Sequence, residues 1–120
     1  MWISKHMPSS VKSVRVGKEI FIGAHYGLDP ASGNLVDGSV TDEATACIKN
    51  LFQTLQDEDV NPKDVVVCRV YITETSIHDV YDPIYHDLFP DNPPARVTVT
   101  VGALPGGARI AIEAEAVTDD

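Results

Sequence analysis

The feature that most constrains the fold is the run from Val65 to Thr73, which is rich in β-branched and aromatic residues and predicts a β-strand. Its alternate side chains form two largely apolar faces, one with Val66, Cys68, Val70 and Ile72 and the other with Val65, Val67, Arg69, Tyr71 and Thr73. A strand that is apolar on both faces usually lies inside a sheet that is covered on both sides. The chain must therefore provide two covers for its sheet or share one with another molecule.

Four more strands and a clear helix are predicted around this run. The strands cover residues 13–16, 19–23, 96–101 and 108–117, and the first two form a hairpin with a tight turn at Gly17-Lys18. A helix that Ser39 or Thr41 can cap follows a loop rich in turn-forming residues. Its apolar stripe consists of Val40, Ala44, Cys47, Ile48, Leu51 and Leu55. Such a stripe has to pack on a partner, and a sheet is the obvious one.

A second helix is predicted after Ser76, with Ile77, Val80, Tyr81, Ile84 and Leu88 facing inward. Pro83 means that this helix either kinks or restarts with Asp82 as its cap. The predicted order is β-β-α-β-α-β-β, an α+β fold with a mixed sheet. Because two helices cover only one face of such a sheet, the other face stays partly apolar. We therefore expect a symmetric oligomer.

Length and composition predict one domain and exclude several classes of function. The 120 residues fit a single domain over 1–120, in which residues 1–12 lack periodicity and are expected to form a loose N-terminal arm. The formal net charge of −9 argues against nucleic acid and anionic membranes as partners. The two cysteines are too few for a disulfide framework and predict reduced thiols. The N-terminus has no apolar run typical of a signal peptide, so we expect a cytoplasmic location. The spacing of the four histidines predicts no metal site.

A few residues stand out as candidates for chemistry. Arg96 follows the rigid segment Pro93-Pro94 at the start of a predicted strand, and its guanidinium fork could bind both oxygens of a carboxylate. From the spacing alone, a surface salt bridge is the simpler interpretation. Glu113 and Glu115 share one strand face, where they could perform acid–base chemistry in a cleft or could simply be solvated.

Several segments together resemble one family. They are Val16-Gly17-Lys18-Glu19-Ile20-Phe21-Ile22, Gly27-Leu28-Asp29-Pro30-Ala31-Ser32-Gly33-Asn34-Leu35-Val36, Pro94-Ala95-Arg96, Ala103-Leu104-Pro105 and Ile112-Glu113-Ala114. In this order they resemble the RidA family, also called YjgF or endoribonuclease L-PSP, over residues 11 to 117. The resemblance implies a chorismate-mutase-like fold and a homotrimer whose sheets line a central barrel, with clefts between the subunits. It also implies hydrolysis of imines and enamines, such as 2-iminobutanoate and 2-aminoacrylate, to 2-oxo acids and ammonia without a cofactor.

The resemblance also implies roles for individual residues. Arg96 corresponds to the arginine that pairs with the substrate carboxylate, backbone amides near Ala24 and Thr98 assist it, and Asp82 corresponds to a polar residue of the second helix. The family glutamate that positions or activates water is replaced by Ala111, and Glu113 matches a second glutamate on the same strand face, roughly 7 Å further on.

Other polar positions of the family cleft are also changed. The resemblance aligns Gly23 with the cleft serine, Thr98 with a cysteine and Ser10 with a tyrosine. His25 and Tyr26, expected in the loop before Gly27, could supply new groups to the cleft, and His25 is a candidate base. The interpretation of His25 as a solvent-facing loop residue stays open beside it.

Three functions compete at this point. The first is an imine or enamine deaminase, because water attacks an imine readily and orientation by Arg96 could replace a strong base. A variant of it acts on a larger substrate such as an aminomuconate, since the small or altered residues at Gly23, Thr98 and Ala111 leave room. The second is a non-catalytic trimer that binds a small carboxylate metabolite. The third, a ribonuclease, rests only on the family's older name.

Overall fold

The element order of the computed structural model is the predicted β-β-α-β-α-β-β, and the structure describes residues 12–119. The elements are β1 (Ser13–Val16), β2 (Glu19–Tyr26), α1 (Val40–Asp57), β3 (Val65–Ile72), α2 (Ile77–Leu88), β4 (Ala95–Thr100) and β5 (Ile110–Val117). The predictions made for residues 1–11, most of the loose arm and the cleft position Ser10, lie outside the described residues.

The strands form one mixed, five-stranded sheet in the order β1-β2-β5-β3-β4. Only β3 and β4 are parallel, and the other neighbours pair antiparallel. β3 therefore lies between two strands, as its apolar sequence predicts, whereas β4 is an edge strand. Ala95–Thr100 is mostly solvent-exposed along its length, and Arg96 is its single half-buried residue.

Both helices pack on the same face of the sheet. α1 begins at a capping box in which Ser39 and Asp42 exchange side-chain-to-backbone hydrogen bonds, and acidic residues in its first turn suit the helix dipole. Its predicted stripe is buried except for Val40, which is partly buried. α2 adds the fully buried rings of Tyr81 and Tyr85 to the core, and Phe89, the residue after the helix, adds a third. Within residues 12–119, no helix combines the length and apolarity needed to cross a membrane. The α+β architecture expected from the resemblance is confirmed.

The face of the sheet opposite the helices has no cover among the described residues, and we call it the open face. Its exposed apolar side chains are Val14, Val16, Phe21, Val97, Val99 and Val117. The prediction that Val66 shares the inner face with Cys68 is wrong. The β3–β5 register shifts between Val65 and Val67, and Val66 is 48% exposed at that irregularity.

One further prediction needs correction, and one of the two alternatives for Pro83 is excluded. β2 continues to Tyr26, so His25 and Tyr26 are strand residues and not part of the loop before Gly27. A register shift between Ile22 and His25 allows this extension, because the extra residue turns His25 back toward the helices. In addition, α2 runs continuously through Pro83, so it does not restart at Asp82.

Candidate functional site

Arg96 lies at the start of β4 with its side chain on the helix-covered side of the sheet. It pairs in register with Cys68, whose side chain is fully buried under the helices. The guanidinium carbon lies 4.6 Å from the ring centroid of Tyr85 and 5.3 Å from that of Tyr81. Cation–π contacts of this kind hold the planar group against the rings. Only 22% of the Arg96 side chain is exposed, so its orientation is well defined.

Helix α2 provides the platform for this arginine. Tyr81 and Tyr85 are four residues apart, and therefore project from the same side of the helix. The two rings meet edge to face, and the hydroxyl groups of Tyr81 and Thr98 are 2.6 Å apart. The Thr98 side chain is thus bound to α2, and only its backbone remains for the predicted role in assisting Arg96.

Asp82 contacts Arg96 from the same helix. Its Oδ1 atom lies 2.7 Å from Nη1 of Arg96 and 3.5 Å from Nε2 of His86. The Arg96 guanidinium beside Asp82 holds the pKa of that carboxyl below its usual range, so the group is ionised at neutral pH. The structure therefore has Arg96 and Asp82 in direct contact. It also shows that Arg96 already has an internal carboxylate partner on one side of its fork.

Glu113 lies in a second polar group, on the open face. Its carboxylate accepts a 2.6 Å hydrogen bond from the Tyr71 hydroxyl and lies 3.8 Å from Nη1 of Arg69, which is also paired with Glu115. The hydrogen bond to Glu113 raises the pKa of Tyr71, because ionisation of the phenol would break it. Arg69, Glu113 and Glu115 line a hollow of about 240 Å³ that Phe21 and Gly23 border from β2.

The position of the expected family glutamate, Ala111, lies between two tyrosines. Ala111 pairs in register with Tyr26 of β2 and with Tyr71 of β3, and only 1% of it is exposed. Neighbours in register share a face of the sheet, so both phenols border the place of the missing carboxylate. Burial raises the pKa of Tyr26, which is therefore neutral at ordinary pH.

His25 is not in either group. Its ring is 7% exposed, with Nε2 2.7 Å from the Thr54 hydroxyl of α1 and Nδ1 2.7 Å from the carbonyl oxygen of Gly23. Burial lowers the pKa of His25, because a charged ring would lose its hydration. Both nitrogens have structural partners in the core, so the loop placement that suggested a free base is wrong.

The predicted site residues consequently divide into two groups within one chain. Arg96, Thr98 and Asp82 gather at the edge strand β4, whereas the residues of β2 and β5 lie two strands or more away. β4 and β2 are separated by three strand spacings, roughly 14 Å. Arg96 also points to the helix side, and Glu113 to the open face. A single chain does not bring Arg96 together with Gly23, Ala24, Tyr26 or Glu113.

Sequence reasoning missed three contributions to these groups. The aromatic platform was not predicted, although two tyrosines four residues apart on a helix next to a strand arginine are a usable signal. The second is the pairing of Arg69 and Tyr71 with Glu113, which depends on the sheet register. The third is Cys68 beneath Arg96, whose thiol stays protonated because burial raises its pKa to about 11. A separate groove of about 590 Å³ between the outer sides of α1 and α2 includes none of these residues.

This fold and its polar groups define a class: an α+β protein with a mixed five-stranded sheet, two helices on one face, an open face that exposes apolar side chains, and a half-buried arginine on the edge strand. The family model described as Endoribonuclease L-PSP matches residues 6–118. The chain therefore belongs to this family, the RidA or YjgF proteins.

Relatives of known name and structure agree with this assignment. The 2-iminobutanoate/2-iminopropanoate deaminase of Homo sapiens is 37% identical over 106 residues, which is 88% of this chain and 77% of that protein. Protein DfrA of Myxococcus xanthus is 34% identical over 110 residues, covering 92% and 84%. A crystal structure from Thermotoga maritima matches with a TM-score of 0.89 at 31% identity, over 95% of this chain and 90% of that one. The structure of RidA from an Antarctic Psychrobacter matches with a TM-score of 0.85 at 26% identity, over 97% of each chain.

Proposed function

We propose that this protein hydrolyses small 2-imino acids and their enamine tautomers to 2-oxo acids and ammonia, in a cleft formed between copies of the chain. The observation that carries the proposal is Arg96, which is stacked on Tyr81 and Tyr85 with part of its fork exposed. The curated relatives named for deamination of 2-iminobutanoate and 2-iminopropanoate support the same reaction class.

Arg96 binds the substrate carboxylate in this proposal. An arginine fork forms two parallel charge-assisted hydrogen bonds with a carboxylate, which fixes the plane of the bound acid. Among residues 12–119, Asp82 is its single ion-pair partner, at Nη1, and the remaining nitrogens of the fork are left for a ligand. The tyrosine platform already restricts the Arg96 side chain in the free protein, so ligand binding costs less conformational entropy.

A second copy of the chain completes the cleft. The edge strand β4 exposes Val97 and Val99 at 49% and 40%, and Val14, Val16 and Phe21 are exposed at the opposite border of the open face. Unpaired edges and apolar patches of this kind are normally covered in a native assembly. Docking the edge of one copy against the open face of the next would place Arg96 near the Glu113 group. Three such steps close a ring, the homotrimer expected from the resemblance.

The chemistry then needs orientation more than a strong base. Water adds to the imine carbon, the resulting carbinolamine loses ammonia, and the carbonyl of the 2-oxo acid forms. Glu113, with the Tyr71 hydroxyl bound to it, is the carboxylate nearest to the position of Ala111 along β5, and we assign to it the positioning of the water. Backbone amides near Ala24 and Thr98 would bind the substrate beside Arg96. Tyr26 and Gly23 border the same space.

The test is hydrolysis of 2-iminobutanoate, generated in place by a threonine dehydratase, with semicarbazide trapping the imine that remains. Wild-type protein should accelerate the loss of trappable imine, and Arg96→Ala should abolish the acceleration. Arg15→Ala is the matched control, because Arg15 is an exposed arginine that contacts only the end of α1. Equal activity of Arg96→Ala and wild type would refute the anchor, and no acceleration by wild type would refute the proposed substrate.

A second candidate function is a non-catalytic trimer that binds small carboxylates. The observation that favours it is Ala111, since the position between Tyr26 and Tyr71 carries no acid. A larger aminated acid, such as an aminomuconate, would also use the space above this alanine. Suppose that 2-oxobutanoate binds saturably and in an Arg96-dependent way, while neither 2-iminobutanoate nor an aminomuconate is hydrolysed. This result would favour the binding function over the deaminase.

A further inference from the structure

We propose that Arg96 and Asp82 act together as a two-charge site that selects ligands carrying a carboxylate and a protonated nitrogen on the neighbouring carbon. Such ligands are protonated 2-imino acids and, by the same logic, 2-amino acids. The site discriminates against 2-oxo acids, which have the carboxylate alone. The inference rests on the proposed function for its substrate, but the charge preference is measured independently of catalysis.

The two charges lie side by side and contact each other directly. Nη1 of Arg96 and Oδ1 of Asp82 are 2.7 Å apart, and both atoms are buried. The exposed parts of the two side chains, 22% for Arg96 and 32% for Asp82, therefore lie away from this contact. In a 2-imino or 2-amino acid the nitrogen and the carboxylate sit on adjacent carbons. In the proposed complex, the carboxylate of one small zwitterion binds the exposed side of the guanidinium, and its nitrogen donates to the exposed side of the Asp82 carboxylate.

The surroundings keep this charge pair in place. Tyr81 and Tyr85 hold the guanidinium from one side, and the Nε2 atom of His86 lies 3.5 Å from the same Asp82 oxygen. Withdrawal of Asp82 would leave the buried Nη1 of Arg96 without its ion-pair partner, which is costly. A carboxylate ligand consequently meets a pair that is close to neutral overall and not a free cation.

This charge balance decides which ligand binds. A 2-oxo acid gains from Arg96 but is repelled by the nearby Asp82 carboxylate, whereas a zwitterion gains from both charges. Hydrogen bonds to charged groups contribute enough for a preference of about tenfold or more. The protonated imine is also the electrophile that water attacks, so Asp82 would favour the reactive form of the substrate.

The same balance would help the product leave. The reaction R–C(=NH₂⁺)–COO⁻ + H₂O → R–CO–COO⁻ + NH₄⁺ conserves atoms and charge, and it converts a zwitterion into two separate ions. The 2-oxo acid that remains on Arg96 has lost the group that faced Asp82. Asp82 is thus a specificity-determining residue, because it separates substrate from product by charge.

The experiment compares two ligands with the same four-carbon skeleton, 2-aminobutanoate and 2-oxobutanoate, by titration calorimetry at neutral pH. Wild type should bind 2-aminobutanoate more tightly. Asp82→Asn should reverse this order, with 2-oxobutanoate binding about tenfold tighter than to wild type and 2-aminobutanoate about tenfold weaker. Asp87→Asn is the matched control, since it removes the same charge from an exposed position of the same helix and should change neither affinity.

Each outcome decides the inference. A merely structural Asp82 would weaken both ligands in parallel and lower the unfolding temperature, which would overturn it, as would an unchanged ratio in Asp82→Asn. Failure of wild type to bind 2-aminobutanoate would overturn it as well. If the charge preference reverses as expected and no imine is hydrolysed, the two-charge site stands and the proposed deaminase function fails.

Discussion

Replacement of His25 distinguishes a structural histidine from a catalytic base. The ring joins β2 to α1 through a short contact with the Thr54 hydroxyl, and a second short contact, with the carbonyl oxygen of Gly23, lies within β2. His25 is 7% exposed and Thr54 is 4% exposed, so water cannot replace the lost partners without entering the core. We expect His25→Ala to destabilise the fold strongly and to affect turnover of the folded protein only slightly.

The magnitude follows from these contacts. Each lost hydrogen bond costs about 1 kcal/mol, and the Thr54 hydroxyl left buried without a partner adds about 1–2 kcal/mol. The total of about 3 kcal/mol is a large part of the stability of a domain this size. It corresponds to a decrease in Tm of roughly 10 °C.

The assay is urea unfolding at a fixed protomer concentration, because the proposed assembly would make the apparent stability concentration-dependent. A double-mutant cycle with Thr54→Val should give a coupling energy of about 1 kcal/mol between the two side chains. Below the unfolding transition, kcat of His25→Ala should stay within about tenfold of wild type, whereas loss of a general base costs about 10²- to 10⁴-fold. Strict additivity in the cycle, or a collapse of kcat in the folded variant, would refute the structural role.

Four shorter predictions test other parts of the structure. Burial holds the pKa of His25 below its ordinary value of about 6.5. The unfolded chain therefore binds a proton that the folded chain does not, so the free energy of unfolding should be highest above that pH and decrease as the pH falls below it. His25→Gln should flatten this slope in urea titrations. Glu43 is 2% exposed and binds the backbone N–H and Nε of Arg109, so Glu43→Gln should cost about 2–3 kcal/mol of unfolding free energy, and a loss under 0.5 kcal/mol would contradict the contact. A Cβ atom at Gly27 would lie 2.4 Å from the Glu43 carbonyl oxygen, so Gly27→Ala should lower the Tm clearly by thermal scanning, and an unchanged Tm would mean that this approach is looser. Val97→Asp places a charge on the open face and should shift the mass measured by light scattering toward the monomer; an unchanged mass would exclude this face from the interface.

The architecture was predictable because each element carries its own periodic signal. The α1 stripe repeats at helical spacing and begins at a recognisable cap, Ser39. The alternation of β5 assigns Ile112 to the core and Glu113 to the opposite face, and both assignments are confirmed. The two-sided apolar character of β3 indicated an internal strand, and its position between β5 and β4 agrees.

The candidate site was harder to predict because its geometry depends on register and not on periodicity. One extra residue between Ile22 and His25 turns the histidine from the predicted loop into the core. Gly23 inside the strand is compatible with such a bulge, but it does not specify the register on either side. The partners of Arg96 are on a different element, and their contact follows from how α2 lies beside β4. Sequence spacing identified Arg96 and Asp82 as polar candidates, but not that they neutralise each other.

The division of the polar groups between two faces is the strongest reason to expect function in an assembly. In one chain, a ligand on Arg96 would lie beside α2, with the sheet itself between it and Glu113. Because the sheet separates the two faces, Glu113 can contact that ligand only if it belongs to another copy of the chain. Docking of a second copy would bury the apolar side chains on both sides of the Arg69–Tyr71–Glu113 group. The polar group itself would stay at the rim of the interface, in contact with water. The exposed apolar surface that leaves the single chain incomplete is therefore also what would bring the two groups together.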